Sequence, residues 1–115
     1  MPIYNKLVRD GIPKIIELDN KKYTMNVLET AQHEEEINRK LEEELKEYQQ
    51  ASSNEEAIEE LADLLELIYA VLPLHNSSME ELEKVRLAKL EKRGGFDNGY
   101  YDYIKEMKPI PPISV

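Results

Sequence analysis

Two helical stretches, separated by a short polar break, dominate the hydrophobic pattern of the chain. The apolar residues of the first stretch recur every three or four positions and form one stripe: Ile37, Leu41, Leu45 and Tyr48. The second stretch is apolar on almost every side of its helix: Ile58, Leu61, Leu64, Leu65, Leu67, Ile68, Val71 and Leu72. Because only a few polar residues separate them, the two helices are predicted to pack antiparallel.

Capping signals predict where these two helices begin and end. Thr30 is a suitable cap for the first helix, which is expected to run to about Ala51. Ser53 and Glu56 have the spacing of a capping box and predict the start of the second helix. Pro73 then ends that helix, since proline cannot continue the backbone hydrogen bonding.

The N-terminal part of the chain is predicted to contain a shorter helix. Asp10 is available as its cap, and Pro13 suits its first turn. After this helix, apolar residues alternate with polar ones and indicate a candidate short strand: Tyr23, Met25 and Val27. The sequence therefore predicts an all-α bundle of about four main helices, with one candidate N-terminal strand.

The fourth helix carries cations within its apolar stripe. Ser78 and Glu81 form a capping box at its start, and Gly94 with Gly95 ends it. Its apolar stripe is Met79, Leu82 and Leu90, and the cations within the stripe are Arg86, Lys89 and Arg93. Such cations need anions facing them, and these are either protein carboxylates in direct ion pairs or the phosphates of a bound substrate.

Composition narrows the class of protein. The chain has 115 residues, a net charge of −9 and no cysteine, so it is expected to be a single domain covering residues 1–115, without a disulfide framework. The negative charge argues against nucleic-acid binding by general electrostatics. No apolar run approaches the roughly 20 residues of a membrane span, and the N-terminus lacks a signal-peptide core. A soluble, cytoplasmic protein is the expectation.

Carboxylates at matching spacing are the main candidates for chemistry. Glu44 and Glu47 lie one helical turn apart, and Glu60 and Asp63 repeat this spacing on the second helix. An antiparallel pair of helices can bring both pairs together, and four converging carboxylates suit Mg²⁺, with Mn²⁺ as an alternative. Glutamate runs are also common on solvated helix faces, so a purely structural role stays open for each pair.

Several segments resemble a known enzyme superfamily. KLEEELKE, followed after twelve residues by ELAD, resembles the EExxE…ExxD pattern of the MazG-like all-α NTP pyrophosphohydrolases. That superfamily includes the dimeric dUTPases and phosphoribosyl-ATP pyrophosphohydrolase. The opening YNKLVRDGIPKII and the later KRGGF are similar to a small single-domain branch described as phosphoribosyl-ATP pyrophosphohydrolase-like, or as house-cleaning enzymes.

The resemblance assigns roles to individual residues. It implies four metal ligands: Glu44, Glu47, Glu60 and Asp63. Glu43 is the first Glu of the EE pair; the helical wheel turns its side chain outward, so it is expected to position or activate water, beside Glu44. Phosphate contacts are expected from Lys6, Arg9, Lys40, Arg86, Lys89 and Arg93. From the pattern alone, a surface role is favoured for Lys6 and Arg9.

The expected reaction is Mg²⁺-dependent hydrolysis of a nucleoside triphosphate between its α and β phosphates, as house-cleaning of non-standard nucleotides. Phe96 and Tyr100 are candidates for stacking on the base or for a lid, although packing is an alternative role. The alternative functions are hydrolysis of phosphoribosyl-ATP or dUTP, or a non-catalytic acidic interaction module. The apolar second helix cannot easily hide its surface in one small domain, so a homodimer is expected.

Overall fold

Helices make up the regular structure of the protein. The computed structural model describes residues 6–21 and 24–101. In chain order its helices are α1 (Ile12–Leu18), α2 (Thr30–Gln49), α3 (Asn54–Val71), a 3₁₀ turn (Leu72–His75) and α4 (Met79–Arg93). The all-α prediction is confirmed. Met25 and Val27 lie in a segment that is not paired as a strand, and Tyr23 lies outside the described residues, so the candidate strand does not form at the residues that can be seen.

The chain divides into two compact units. The first, Met1–Asn76, contains α1, α2, α3 and the 3₁₀ turn, and the second, Ser77–Val115, contains α4. The expectation of one domain over residues 1–115 stays a prediction. None of the helices in the described part of the chain is both long enough and apolar enough to span a membrane.

The first unit is built on a hairpin of α2 and α3. The two helices pack against each other, and of the predicted α2 stripe Ile37 is buried while Leu45 and Tyr48 are exposed. Ile37 on α2 is fully buried, and Leu72 is 8% exposed just after α3. Burying these apolar side chains removes them from water, which stabilises the packing of the two helices. The hairpin therefore fixes the relative positions of the carboxylates on its two helices.

A hydroxyl cap defines the turn between α2 and α3. The Ser53 Oγ accepts a hydrogen bond from the Glu56 backbone N–H at 3.1 Å, as the capping box predicted. The return contact differs, because the Glu56 carboxylate accepts from the backbone N–H and the hydroxyl of Ser52, each at 3.0 Å. These bonds hold the pKa of Glu56 below its ordinary value, first through the backbone donor. The start of α3 is thus fixed within one residue.

The ends of the other helices partly differ from prediction. Ser78 caps α4 by accepting from the Glu81 N–H at 3.3 Å, and Gly94 ends it with φ of +78°, a conformation that favours glycine. The expected Asp10 cap was wrong, because Gly11 takes the cap position of α1 without a side-chain hydrogen bond. Thr30 was also misplaced: it is the first residue of α2, and Glu29 is its cap.

The hairpin leaves much apolar surface uncovered. Six large apolar or aromatic side chains on α2 and α3 are more than a third exposed in the single chain: Leu45, Tyr48, Ile58, Leu61, Leu65 and Ile68. Exposed apolar surface of this kind is typical of a face that another molecule covers. The expectation of a homodimer stays a prediction.

Candidate metal centre and active site

The α2–α3 hairpin brings the predicted carboxylates together. One carboxylate oxygen each from Glu44, Glu60 and Asp63 lies within 4.8 Å of the others. A second group, formed by Glu43, Glu44 and Glu47, has the same spread, so Glu44 belongs to both groups. We call these five residues the carboxylate cluster. Oxygen ligands converging from two helices are the arrangement that Mg²⁺ and Mn²⁺ prefer.

Glu44 is the most buried member of the carboxylate cluster. Its residue is only 6% exposed, although it sits on a helix rich in solvated glutamates. The Oε2 atoms of Glu44 and Glu60 are buried, and neither has a hydrogen-bond partner among the described residues. A carboxylate oxygen buried without a donor costs free energy. A divalent cation would satisfy both atoms, so the residues present fit such an ion.

Burial and neighbouring acids strongly perturb Glu44. They raise its pKa from 4.5 to about 8. Burial is the largest cause, followed by the carboxyl groups of Glu60 and Glu47, to which Glu44 can donate only when it is protonated, and by the negative charges of Glu47 and Asp63. Each of these effects disfavours the ionised form. In the absence of a cation, the Glu44 carboxyl is therefore mostly protonated near neutral pH.

Glu43 lies nearer to the other carboxylates than the helical wheel predicted, and Lys40 contacts it. The helical wheel turned Glu43 outward, but its side chain is only half-exposed and one of its oxygens lies in the carboxylate cluster. The Lys40 Nζ lies 3.3 Å from Glu43 Oε1 and 3.7 Å from Glu44 Oε1. Lys40 is one turn earlier on α2, so its ammonium group lies within reach of the Glu43 carboxylate. Lys40, expected at a phosphate, thus contacts the cluster itself.

Arg9 reaches the same cluster from the N-terminal segment. Its guanidinium donates a hydrogen bond to Asp63 Oδ1 on α3, across 54 positions of sequence. The sequence predicts either a surface role or a phosphate contact for Arg9. It does not predict this ion pair. The signal was present in part, since an arginine next to apolar Leu7 and Val8 has its stem anchored. Nothing in the local pattern identifies Asp63 as its partner.

The cations of α4 lie in the second compact unit. Arg86 is paired with Glu83 on its own helix, with its Nε 3.0 Å from Glu83 Oε2. Lys89 and Arg93 occupy the last turns of α4 and are exposed. Their expected position facing the carboxylate cluster stays a prediction. A direct ion pair was one alternative for Arg86, but its partner Glu83, on the same helix, was not predicted.

The remaining candidate residues lie near the ends of the described chain. Phe96 and Tyr100 follow α4 and are 98% and 91% exposed. Lys6 is exposed in the segment before α1. The expected roles of Phe96 and Tyr100 at a base, and of Lys6 at a phosphate, stay predictions.

A comparison with known protein families matches most of the helices described above. A family model described as phosphoribosyl-ATP pyrophosphohydrolase matches residues 14–92. This range contains the whole carboxylate cluster and most of α4, and it begins after Arg9. Curated proteins and solved structures give no significant match. Because the family model covers more than half of the chain, the chain belongs to the phosphoribosyl-ATP pyrophosphohydrolase family of the MazG-like all-α superfamily, and it is a hydrolase that acts on phosphoric anhydrides.

Proposed function

We propose that the protein is a Mg²⁺-dependent nucleotide pyrophosphohydrolase that cleaves between the α and β phosphates and releases pyrophosphate. Two substrate classes are candidates. Non-standard nucleoside triphosphates follow from the resemblance to house-cleaning enzymes, and phosphoribosyl-ATP follows from the description of the matching family. Both contain the same anhydride bond, so one site serves either, and they differ in the group attached to the nucleoside.

The observation that carries this proposal is the pair of buried, unpartnered oxygens on Glu44 and Glu60. A fold gains nothing in stability from facing carboxylates at the core of a hairpin, because desolvation and mutual repulsion both oppose it. The arrangement is explained if the cluster serves a divalent cation. Mg²⁺ is usually held by a few carboxylates together with substrate phosphates.

Individual residues of the carboxylate cluster take different roles. Glu44, Glu47, Glu60 and Asp63 would hold Mg²⁺, or Mn²⁺ in its place, which polarises a phosphoryl oxygen and lowers the pKa of a bound water. Glu43 sits at the solvent side of the cluster and accepts the proton of the attacking water. Glu44 is the buried anchor, because it belongs to both carboxylate groups.

Cations and aromatic side chains bind the remaining parts of the nucleotide. Lys40 lies beside the cluster, where it can neutralise a phosphate oxygen as well as Glu43. We assign the other phosphate contacts to Lys6, Arg9, Arg86, Lys89 and Arg93. Phe96 and Tyr100 are proposed to stack on the base or to cover it, in keeping with their exposed rings.

A second copy of the chain is the proposed partner of the hairpin. The uncovered side chains on α3 recur at helical spacing, at Leu61, Leu65 and Ile68, and form a continuous apolar stripe. Closed symmetric dimers are the commonest assemblies that bury such a face. We therefore propose a homodimer formed through the α2–α3 hairpin.

Product analysis over a nucleotide panel tests the reaction. The purified protein is incubated with Mg²⁺ and each common nucleoside triphosphate, damaged triphosphates, dUTP and phosphoribosyl-ATP, and pyrophosphate, phosphate and monophosphate are quantified. We expect pyrophosphate with an equal amount of monophosphate product from at least one substrate, and the relative rates then choose between the substrate classes. Release of single phosphates, or no product from any nucleotide, would overturn the proposal.

A further inference from the structure

Arg9 bonds to Asp63, one of the residues proposed to hold the metal. Its guanidinium bonds to Asp63 Oδ1, and Asp63 is one of the three residues of the α2–α3 carboxylate group. A guanidinium bonded to Asp63 reduces the negative charge that this side chain offers to a divalent cation, and the two positive charges repel each other. Arg9 is therefore in direct competition with an ion at this ligand.

Lys40 and Arg9 both contact the cluster, but they are held differently. Lys40 lies on α2, contacts Glu43 and Glu44 on its own helix and is only 21% exposed. Arg9 comes from the segment before α1, and its side chain is 61% exposed. An exposed ion pair of this kind is weak, since water solvates both partners well. Arg9 can leave Asp63 at little cost, whereas Lys40 stays beside the cluster.

The backbone of Arg9 remains anchored when its side chain turns away. The Arg9 carbonyl oxygen accepts a hydrogen bond from the Ile12 N–H at 3.0 Å, at the first turn of α1. The movement needed is thus a change of side-chain rotamers, which is fast and requires no displacement of α1. A guanidinium released in this way presents a planar fork of donors that matches a phosphate group.

We propose that Arg9 is a counter-ion of Asp63 that a divalent cation displaces, and that only the displaced guanidinium contacts the substrate phosphates. The phosphate half of this inference rests on the proposed function, while the competition for Asp63 does not. The exchange orders the binding events: Arg9 neutralises Asp63 while the ion is absent, and it becomes available to an anion once the ion is bound. Nucleotide binding through Arg9 is then coupled to metal binding.

The test measures Mn²⁺ affinity by calorimetry without any nucleotide. Arg9→Gln removes the competing charge, so we expect it to bind Mn²⁺ several-fold more tightly than the parent chain. Arg39→Gln is the matched control, because Arg39 forms surface pairs with Glu35 and Glu36 on α2. The control should bind Mn²⁺ as the parent does. Arg9→Lys keeps the charge and should also stay near the parent affinity.

A second measurement follows the released guanidinium. With Mn²⁺ saturating, we expect both Arg9→Gln and Arg9→Lys to bind a non-hydrolysable nucleoside triphosphate about tenfold more weakly than the parent, because neither offers the bidentate fork. Circular dichroism melting confirms that each variant is folded. Mn²⁺ affinity that is unchanged or weaker in Arg9→Gln overturns this inference alone. A parent chain that binds Mn²⁺ but hydrolyses no nucleotide overturns the proposed function alone.

Discussion

Glu44 is buried and has a raised pKa, although the helix that carries it is otherwise solvated. Its neighbours on α2 in sequence, Glu42 and Glu43, are exposed or half-buried, while Glu44 is buried against the acids of α3. Helical spacing alone explains the difference, because consecutive residues are turned about 100° apart. Neighbouring glutamates on α2 therefore differ sharply: the carboxyl of Glu44 has a perturbed pKa, while Glu42 is exposed to solvent. Perturbed carboxyls of this kind are concentrated at functional sites.

The raised pKa of Glu44 predicts how stability depends on pH in metal-free buffer. Between pH 4.5 and about 8 the folded chain holds a proton on Glu44 that the unfolded chain has released. The contribution of Glu44 to the free energy of unfolding is therefore fully present below pH 4.5 and is lost as pH rises to about 8, with a slope of at most about 1.4 kcal/mol per pH unit. Urea unfolding with chelator across this range measures it. A Glu44 contribution that grows with pH would contradict the assignment.

Replacing Glu44 is expected to have opposite effects on the free energy of unfolding and on activity. Glu44→Gln removes the buried charge while keeping the shape, so at pH 9 without metal we expect the free energy of unfolding to rise by more than about 1 kcal/mol. The same variant should lose pyrophosphohydrolase activity. Glu42→Gln is the matched control on the exposed face, and it should change neither property. A Glu44→Gln variant that is less stable than the parent chain at pH 9 would show that the ionised Glu44 carboxylate does not destabilise the fold.

At the scale of elements, the α2–α3 hairpin positions the carboxylate cluster. Sequence periodicity predicted both helices and the pairing of their carboxylates, since these depend on spacing within each helix. The contact of Arg9 with Asp63 spans 54 positions, and no local pattern encodes a partner that distant. The contact of Glu43 with the cluster from its solvent side was also not predicted, because a wheel places Cβ atoms and ignores how far a long side chain can bend.

The turn between the two helices depends on Ser53. Ser53→Ala removes the hydroxyl that accepts from the Glu56 N–H, so we expect it to lower the free energy of unfolding by about 1 kcal/mol. Ser53→Thr keeps a γ-oxygen and should stay close to the parent chain. Chemical denaturation of the three proteins side by side measures the effect. Equal losses in both variants would show that the cap contributes less than local packing.

At the scale of the whole molecule, the all-α class and the family could be predicted from the sequence, because helix periodicity and the acidic motifs are local features. The predicted helix boundaries were accurate where a serine caps the helix, at Ser53 and Ser78. They were off by a residue where backbone geometry sets the start, as at Gly11 and Glu29. The homodimer was expected from the apolar pattern of α3, and it stays a prediction.

Exposed apolar side chains on α3 lead to a prediction about assembly. If a second copy covers the stripe of Leu61, Leu65 and Ile68, then Leu65→Glu places a charge in the interface and should dissociate the dimer. Sedimentation velocity should then give twice the 13.4 kDa chain mass for the parent protein and the single-chain mass for the variant. Gln50→Glu adds the same charge at an exposed polar position and should remain dimeric. A parent protein that sediments as a monomer at every concentration would exclude this assembly.

Calorimetry with Mn²⁺ tests whether the carboxylate cluster binds a divalent cation. We expect saturable binding to the parent chain and to Glu42→Gln. We also expect affinity at least about tenfold weaker in Glu44→Gln and Glu60→Gln, the two residues with buried, unpartnered oxygens. Equal affinity in all four proteins, or no binding to the parent chain at millimolar Mn²⁺, would contradict cation binding by the cluster.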